Sequence, residues 1–277
     1  MASILDRYGI KEVADVTFYE LGSDGKPTKP VLYLDTLKVS TIEQTAEQAE
    51  ARGGKGNPPL IIWDYGKEIN VTLEDALFSA KSMAIMFGNG AVKQYSGESA
   101  YIMRTEEFIA SASASAAGAG WASTYEGPDG ATYTKLNPKF YTAAGATVSD
   151  AATLTKGEKY FCSYDLLTVN AGVIEISAAS FPGTYYVTGD TYARSEASGK
   201  DEFFQFIIPK AKMNAENTIT LEAEGDPSVF NMSLRVMRPA DGVMMKLVKY
   251  DLANGTPASE SSTATLVHNH TLEGDNE

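Results

Sequence analysis

Histidine is the side chain most often recruited for general-base, nucleophilic or metal chemistry. This chain has two, His268 and His270. An H-x-H pair can ligate a metal, but here it lacks carboxylate or cysteine companions on a rigid scaffold. Cys162, the single cysteine, stands beside Tyr160, Phe161 and Tyr164 without a histidine partner, which points to a buried, inert thiol. Gly53, Gly54, Lys55 and Gly56 share only glycine content with a phosphate loop. The G-x-x-x-x-G-K-[ST] spacing is missing and a strand, not a helix, follows, so a hairpin or hinge is the better reading. Carboxylate pairs such as Glu106 with Glu107, or Asp201 with Glu202, occur in any acidic chain and do not by themselves make a glycosidase. The expectation is a protein that is not an enzyme, with no catalytic residues, no metal and no cofactor.

Charge narrows the partners. The 36 acidic and 23 basic residues give a formal net charge of -13. Tight phosphate binding needs Lys and Arg to displace counterions, so strong nucleic-acid binding is disfavoured, whereas DNA that passes without sticking is compatible. With 277 residues the chain can bury roughly three quarters of its unfolded surface and needs neither disulfide nor metal for stability. The N-terminal segment lacks the apolar core of a signal peptide. No stretch approaches the roughly eighteen apolar residues of a membrane span. These features predict synthesis in a cytoplasm and no membrane partner.

The elements that would position any site read mostly as short strands. The exception is Thr72 to Phe87, where Leu73, Ala76, Leu77, Ala80, Ala84 and Phe87 follow a helical period. Thr72 serves as N-cap, Glu74 and Asp75 put negative charge in the first turn, and Gly88 ends the helix. Leu77 and Phe87 are expected buried against a sheet. One helix without βαβ alternation predicts a mainly β, antiparallel sandwich or barrel with a flanking helix and no nucleotide-binding sheet. The stretch Thr41 to Arg52 admits two readings: Thr41 and Gln44 could form a capping box, while the preceding segment alternates as a strand. From Ile109 to Gly120 the chain is mostly Ser, Ala and Gly, which is expected to build no packed face. Trp121 to Gly157 reads as a long excursion with short hairpins. Four strands are expected later, at Phe203–Ile208, Thr218–Glu224, Val229–Val236 and Val243–Tyr250.

In the second of these, Thr218, Thr220, Glu222 and Glu224 share one face. Glu43, Thr45 and Glu47 show the same character if their segment is a strand. A solvated sheet face is the plain reading; a channel wall is the sharper one. DNA carries one charge per roughly 1.7 Å of axis, so an anionic wall would repel it and let it slide.

The stretch from Ala51 to Lys67 (ARGGKGNPPLIIWDYGK), followed by Ile69 to Leu77, resembles the major tail, or tail tube, proteins of tailed bacteriophages. So does the run from Phe203 to Lys210 through Thr220 to Phe230. The resemblance covers about half the chain, in two blocks that flank the excursion. It implies a tail-tube-like β domain over residues 1–255, with the Ser/Ala/Gly-rich excursion at about 109–157; the polar, acidic tail over 256–277 buries too little apolar area to offset its ordering entropy and is expected to be ordered only by docking on a neighbouring subunit. The resemblance further implies a structural virion protein in the phage tail. Hexameric rings would stack into an anionic channel for genome delivery. The chain would pair with itself and meet tape measure, tail terminator and baseplate proteins, and DNA would pass without tight binding. Long hairpins from each subunit would build the inner wall, which tips Thr41–Arg52 toward strand and makes Glu43, Glu47, Glu222 and Glu224 the candidate lumen-lining residues. A β-sandwich binding or adhesion module, whose aromatic residues would line a ligand groove, is the alternative, as is another virion part such as a capsid or baseplate protein.

Overall fold

The structure, a computed structural model, describes residues 7–88, 90–149, 152–219, 229–250 and 252, without the side chains of 96–99. The strands in chain order begin with β1 (Tyr8–Ile10), β2 (Asp15–Leu21), β3 (Pro27–Leu34), β4 (Leu37–Arg52) and β5 (Pro59–Asp75). Helix α1 (Ala80–Phe87) follows, then β6 (Lys93–Ile109), β7 (Thr124–Glu126), β8 (Thr132–Thr134), β9 (Leu136–Thr142) and β10 (Thr147–Val148). The series closes with β11 (Lys159–Val173), β12 (Thr184–Ser195), β13 (Asp201–Met213), β14 (Phe230–Val236) and β15 (Lys246–Tyr250). The fold is mainly β with antiparallel pairing and, among the described residues, one α-helix. These elements form two compact units, one from the described residues of Met1–Val92 and Ile174–Glu277, the other from Lys93–Val173.

The first unit is a nine-stranded sheet in the order β3-β2-β12-β13-β14-β5-β4, with β1 added to β12 and β15 to β13. Alternation sets its inner face. Val16 and Phe18 of β2, Leu32 and Leu34 of β3, Ile69, Val71 and Leu73 of β5, and Met232 and Leu234 of β14 all enter one core. Leu37 at the start of β4 joins the same cluster. The two terminal strands of the order thus share a core, so the sheet curls over it without closing into a barrel. Gly189 of β12 lies opposite Phe206 of β13, and a side chain there would overlap the Phe206 ring. Only glycine fits.

The helix is shorter than its sequence pattern. Residues 72–75 finish β5 instead, with Thr72 opposite Ser233 and Leu73 opposite Met232 of β14, and with Thr72 opposite Thr41 of β4. Leu73 satisfies both periods, being every second residue after Ile69 and Val71 and also the start of the helical stripe. Pairing on both sides of β5 decides for strand, a tertiary effect that outweighs local propensity. Asp75 is buried and closes the strand, accepting hydrogen bonds from the Thr36 hydroxyl and from Leu77 N–H. The true N-cap is Ser79, whose Oγ accepts from Ser82 N–H at 3.0 Å while Ser79 N–H donates to Ser82 Oγ at 2.9 Å. This is a reciprocal capping box with serine in the place usually held by Glu or Gln. Gly88 does end the helix, donating to the Ala84 carbonyl at 3.1 Å. The helix buries Ser82, Ala84, Ile85 and Met86, of which Ile85 and Met86 enter the main core; Phe87 packs partly against it, and Leu77, outside the helix, is 64% exposed.

The second unit is a four-stranded sheet, β10-β9-β11-β6, plus the hairpin β7-β8. Strands β6 and β11 pair from Lys93 opposite Val173 to Ile109 opposite Lys159, with one irregularity near Thr168. Its core gathers Phe140, Tyr160, Cys162, Tyr164 and Leu154. Contrary to the sequence expectation, the Ser/Ala/Gly-rich stretch does build a packed face: Ala110, Ala116 and Ala119 are buried in this core. Its turns close by short-range bonds, Ser111 N–H to Ala119 O at 2.8 Å and Trp121 N–H to Ala116 O at 3.0 Å. Small side chains allow that close backbone approach. Within this unit Lys135 is buried and reaches Glu106 at 2.6 Å and the Ala122 carbonyl at 2.9 Å. The indole N–H of Trp121 donates to the same carboxylate at 2.8 Å, and the ammonium sits 4.8 Å from the Tyr164 ring centroid. Burial, and then Glu106, push the Cys162 thiol up to about 11, so it stays protonated and weakly nucleophilic at neutral pH.

Of the later strands, Phe203–Ile208 lies inside the longer β13, Val229–Val236 corresponds to β14, and Val243–Tyr250 is shortened to β15. The strand expected at Thr218–Glu224 falls outside the described residues from 220 onward, as does the 256–277 tail.

Two outcomes follow from this packing. Ile85→Ala should cost about 2–5 kcal/mol in chemical denaturation of the subunit, whereas Leu77→Ala should change stability by no more than about 0.5 kcal/mol. Equal losses would contradict the burial of the helix. At pH 8, Cys162 in the native chain should react with iodoacetamide about two orders of magnitude more slowly than in the urea-unfolded chain. Matching rates would show an accessible thiolate.

Candidate assembly surface

The most unusual surface lies on β4 and β5. They pair along their whole length, from Leu37 opposite Asp75 to Arg52 opposite Pro59. Strand β14 covers the other edge of β5 only from Asn70 to Asp75. Beyond that point β5 has no second neighbour among the described residues, and β4, last in the sheet order, has none along its outer edge. The distal part is therefore a two-stranded ribbon. Residues 41–50 and 59–67 are exposed on both faces. Its tip turns through Gly54, Gly56 and Asn57, all at positive φ, and Asn57 N–H donates to the Gly54 carbonyl at 3.1 Å. The glycine-rich stretch is thus a hairpin tip. Thr41–Arg52 is strand throughout.

This ribbon carries an apolar band that solvent alone does not explain. Leu60, Ile61, Ile62, Trp63 and Tyr65 are each more than half exposed. Because successive side chains of a strand point to opposite faces, this band is apolar on both sides. A run without alternation is the pattern of a strand covered on both faces. That signal was legible in the sequence as Leu60 to Tyr65, but its meaning needed the finding that these side chains are exposed among the described residues.

The register also places the acidic candidates. Thr45 opposes Glu68 and Glu47 opposes Tyr65, so three steps of β5 match two of β4. The extra residue is absorbed at Gly66, whose φ is +62°, a β-bulge. Residues opposite each other share a face. Glu43 and Glu47, both exposed, therefore lie on one face together with Glu68, Tyr65 and Trp63. Glu50 and Asp64 lie on the other face, Asp64 accepting from Gln48 Nε2 at 2.8 Å. Arg235 of β14 forms an ion pair with Glu68. Glu222 and Glu224 lie outside the described residues, so the structure unites only the first pair of the four.

The residues singled out for chemistry are dispersed. Glu106 and Glu107 are neighbours on β6 and so point to opposite faces: Glu106 meets Lys135, and Glu107 meets Lys159 at 3.1 Å. Asp201 takes a bidentate pair from Arg194 at 2.6 and 2.7 Å, which holds its carboxyl below the usual range. Glu202 meets Lys249 at 2.7 Å. Neither pair can share a substrate as acid and base. Among the described residues no three His, Cys, Asp or Glu side chains cluster as metal ligands, and His268 and His270 lie outside them. No helix among the described residues is long and apolar enough to cross a membrane.

The chain is 33% identical over 79 residues to the tail tube protein of Bacillus phage SPR, a match spanning 28% of this chain and 28% of that relative. The profile of the YomU/Tube protein family matches residues 8–249, nearly the whole sequence, and the chain belongs to that family.

Proposed function

We propose that this chain is a structural virion protein that polymerises into the tube of a phage tail. The observation that carries the reading is the β4–β5 ribbon, with open edges and apolar side chains on both faces. A long exposed edge is an aggregation hazard in a monomer. In a ring it becomes the joint, since each ribbon pairs with its neighbour and the last closes on the first. Head-to-tail contacts close laterally and extend axially, giving stacked rings. Six subunits per ring, as in the proteins the sequence resembles, is the proposed symmetry. Tape measure, tail terminator and baseplate proteins would be the further partners, and the virion tail the location. The first unit serves as the tube-forming domain, and the role is structural rather than enzymatic.

The inner wall would carry Glu43 and Glu47 from the ribbon, joined by Glu222 and Glu224. Repetition around a ring turns a few carboxylates into a continuous anionic surface. Such a surface repels the phosphate backbone and prevents the counterion release that would hold DNA in place.

Electron microscopy of the purified chain at high concentration should show rings or tubes, and particles should carry the chain in their tails. A chain that stays monomeric and is missing from tails would reject the reading. The double substitution Ile61→Lys with Trp63→Lys should leave subunit stability within about 0.5 kcal/mol, because both side chains are solvated in the monomer, while abolishing tubes. Replacing Glu43, Glu47, Glu222 and Glu224 by Lys should leave assembly intact but slow genome passage, most at low salt, where screening is weakest. Unchanged ejection kinetics would remove these four residues from the wall.

A further inference from the structure

We infer that the ribbon meets a second copy of this chain through the face that carries Ala49, Ala51, Ile61 and Trp63, and that the bulge at Gly66 is what turns this stripe to that face; the inference rests on the tube reading above. Three observations support it. The first is parity. Ile69, Val71 and Leu73 of β5 point into the subunit's own core. Alternation carried straight along the strand would put Ile61, Trp63 and Tyr65 on that same side. The bulge breaks the count: Glu68 and Tyr65, three residues apart, oppose Thr45 and Glu47, which are two apart. Tipward of Gly66, Ile61, Trp63 and Tyr65 therefore lie on the side away from the core. A one-residue change of register moves every side chain of a strand to the other face, and here one glycine with φ +62° accommodates it.

The second is the make-up of the two faces. Trp63 opposes Ala49 and Ile61 opposes Ala51, so on this face bulky side chains of β5 stand beside the methyl groups of β4. The other face sets Ile62 among polar groups that bond within the subunit: Gln48 Nε2 donates to Asp64 at 2.8 Å, and Glu50, opposite Ile62, accepts from Arg52 Nε at 2.6 Å. Glu43 and Glu47 flank the bulge on the root side of the stripe. The extra twist of a bulged two-stranded ribbon turns the tip away from the direction in which they point.

The third is that a bulky row beside a small one is complementary to itself. With β5 of one copy along the open edge of β4 in the next, the two rows alternate around a ring and each Trp63 row has alanines on both sides. Pairing β4 with β4 would instead set Glu43, Glu47 and Glu50 beside like charges, with no Lys or Arg between 41 and 51 to offset them. Cyclic symmetry keeps every ribbon pointing the same way along the axis, so β4 of one copy runs antiparallel to β5 of the next, the sense already used within the ribbon. The edge of β6 is also open. It presents Tyr101, Met103, Glu107 and Ile109 along one face, a bulky row where the stripe needs a small one.

The test begins with a transposition, Trp63→Asp with Asp64→Trp, which carries the indole to the other face without altering composition. The unaltered chain is the control: if it forms no tubes, the tube reading fails. If it forms tubes, the transposed chain should stay folded and monomeric, and tubes from it would overturn the inference alone. Photocrosslinking supplies a second measurement that needs no change to the stripe. With benzoylphenylalanine in place of Gln48, tubes should yield a crosslink to residues 59–65 of another copy, and capture of β4 or β6 instead would overturn the pairing. The role of Gly66 is read in free subunits, independently of tubes. Glu50→Cys with Ile62→Cys should form a disulfide, because the present register opposes them. Gly66→Val, which disfavours positive φ, should slip the ribbon by one residue and move the disulfide to Glu50→Cys with Trp63→Cys. An unchanged disulfide pattern would overturn the role of Gly66.

Discussion

The pairing of β4 with β5 is the constraint from which the rest of the subunit follows. These strands run to 16 and 17 residues, beyond the usual strand length, and only their proximal ends reach the core. An isolated two-stranded ribbon is marginal in water, since one row of hydrogen bonds must offset the ordering of two chains. Here the distal half also leaves outer N–H and C=O groups to solvent and exposes Leu60 to Tyr65. Each defect is tolerable alone. Together they suit a neighbour that supplies both a free edge and an apolar face, and in the proposed ring a second copy of the ribbon would supply both.

Rigidity at the base of the ribbon comes from the same strands. Ile69, Val71 and Leu73 alternate into the core while β14 holds the other edge of β5. Asp75 ends the strand by accepting from Thr36 and from Leu77 N–H, and Ser79 starts the helix four residues later. The helix then buries Ile85 and Met86 in the cluster that contains Val71 and Leu73. The ribbon is thus anchored mainly through β5, with Leu37 of β4 in the same core and helix α1 packed against its root. The ion pair between Arg235 and Glu68 sits at the level where β14 stops covering β5. It cancels charge at that step, while Glu43 and Glu47 lie on the exposed part of the ribbon.

What the sequence made legible divides along physical lines. The mainly β character, the single helix and its end at Gly88 could be read because they rest on local pattern. The helix start could not. Leu73, Ala76 and Leu77 fit a helical stripe, while Ile69, Val71 and Leu73 fit a strand. The choice between them belongs to β4 and β14, which are remote in sequence. Thr41–Arg52 posed the opposite problem: its Gln, Glu and Ala content suits a helix, and only pairing with an apolar partner strand makes it β. The buried alanines of 110–119 were hidden because low complexity commonly signals an absent core. Here small side chains were selected by close packing around Trp121 and Phe140.

The two pairs of neighbouring carboxylates show why composition misleads about chemistry in a β protein. Adjacency in sequence places two groups on opposite faces of a strand, so Glu106 turns to the buried Lys135 while Glu107 meets the exposed Lys159. A productive acid–base pair would need residues two apart, or opposite each other on neighbouring strands. Glu43 and Glu47 share a face but stand four residues apart on an open ribbon, and among the described residues no group of three metal-ligating side chains includes them. What such a spacing can do is act collectively at long range. Two carboxylates on one face have little effect on a single subunit, but copied around the proposed ring they would set the sign of the potential along its axis. On that reading the charge of this chain acts through symmetry rather than through local geometry.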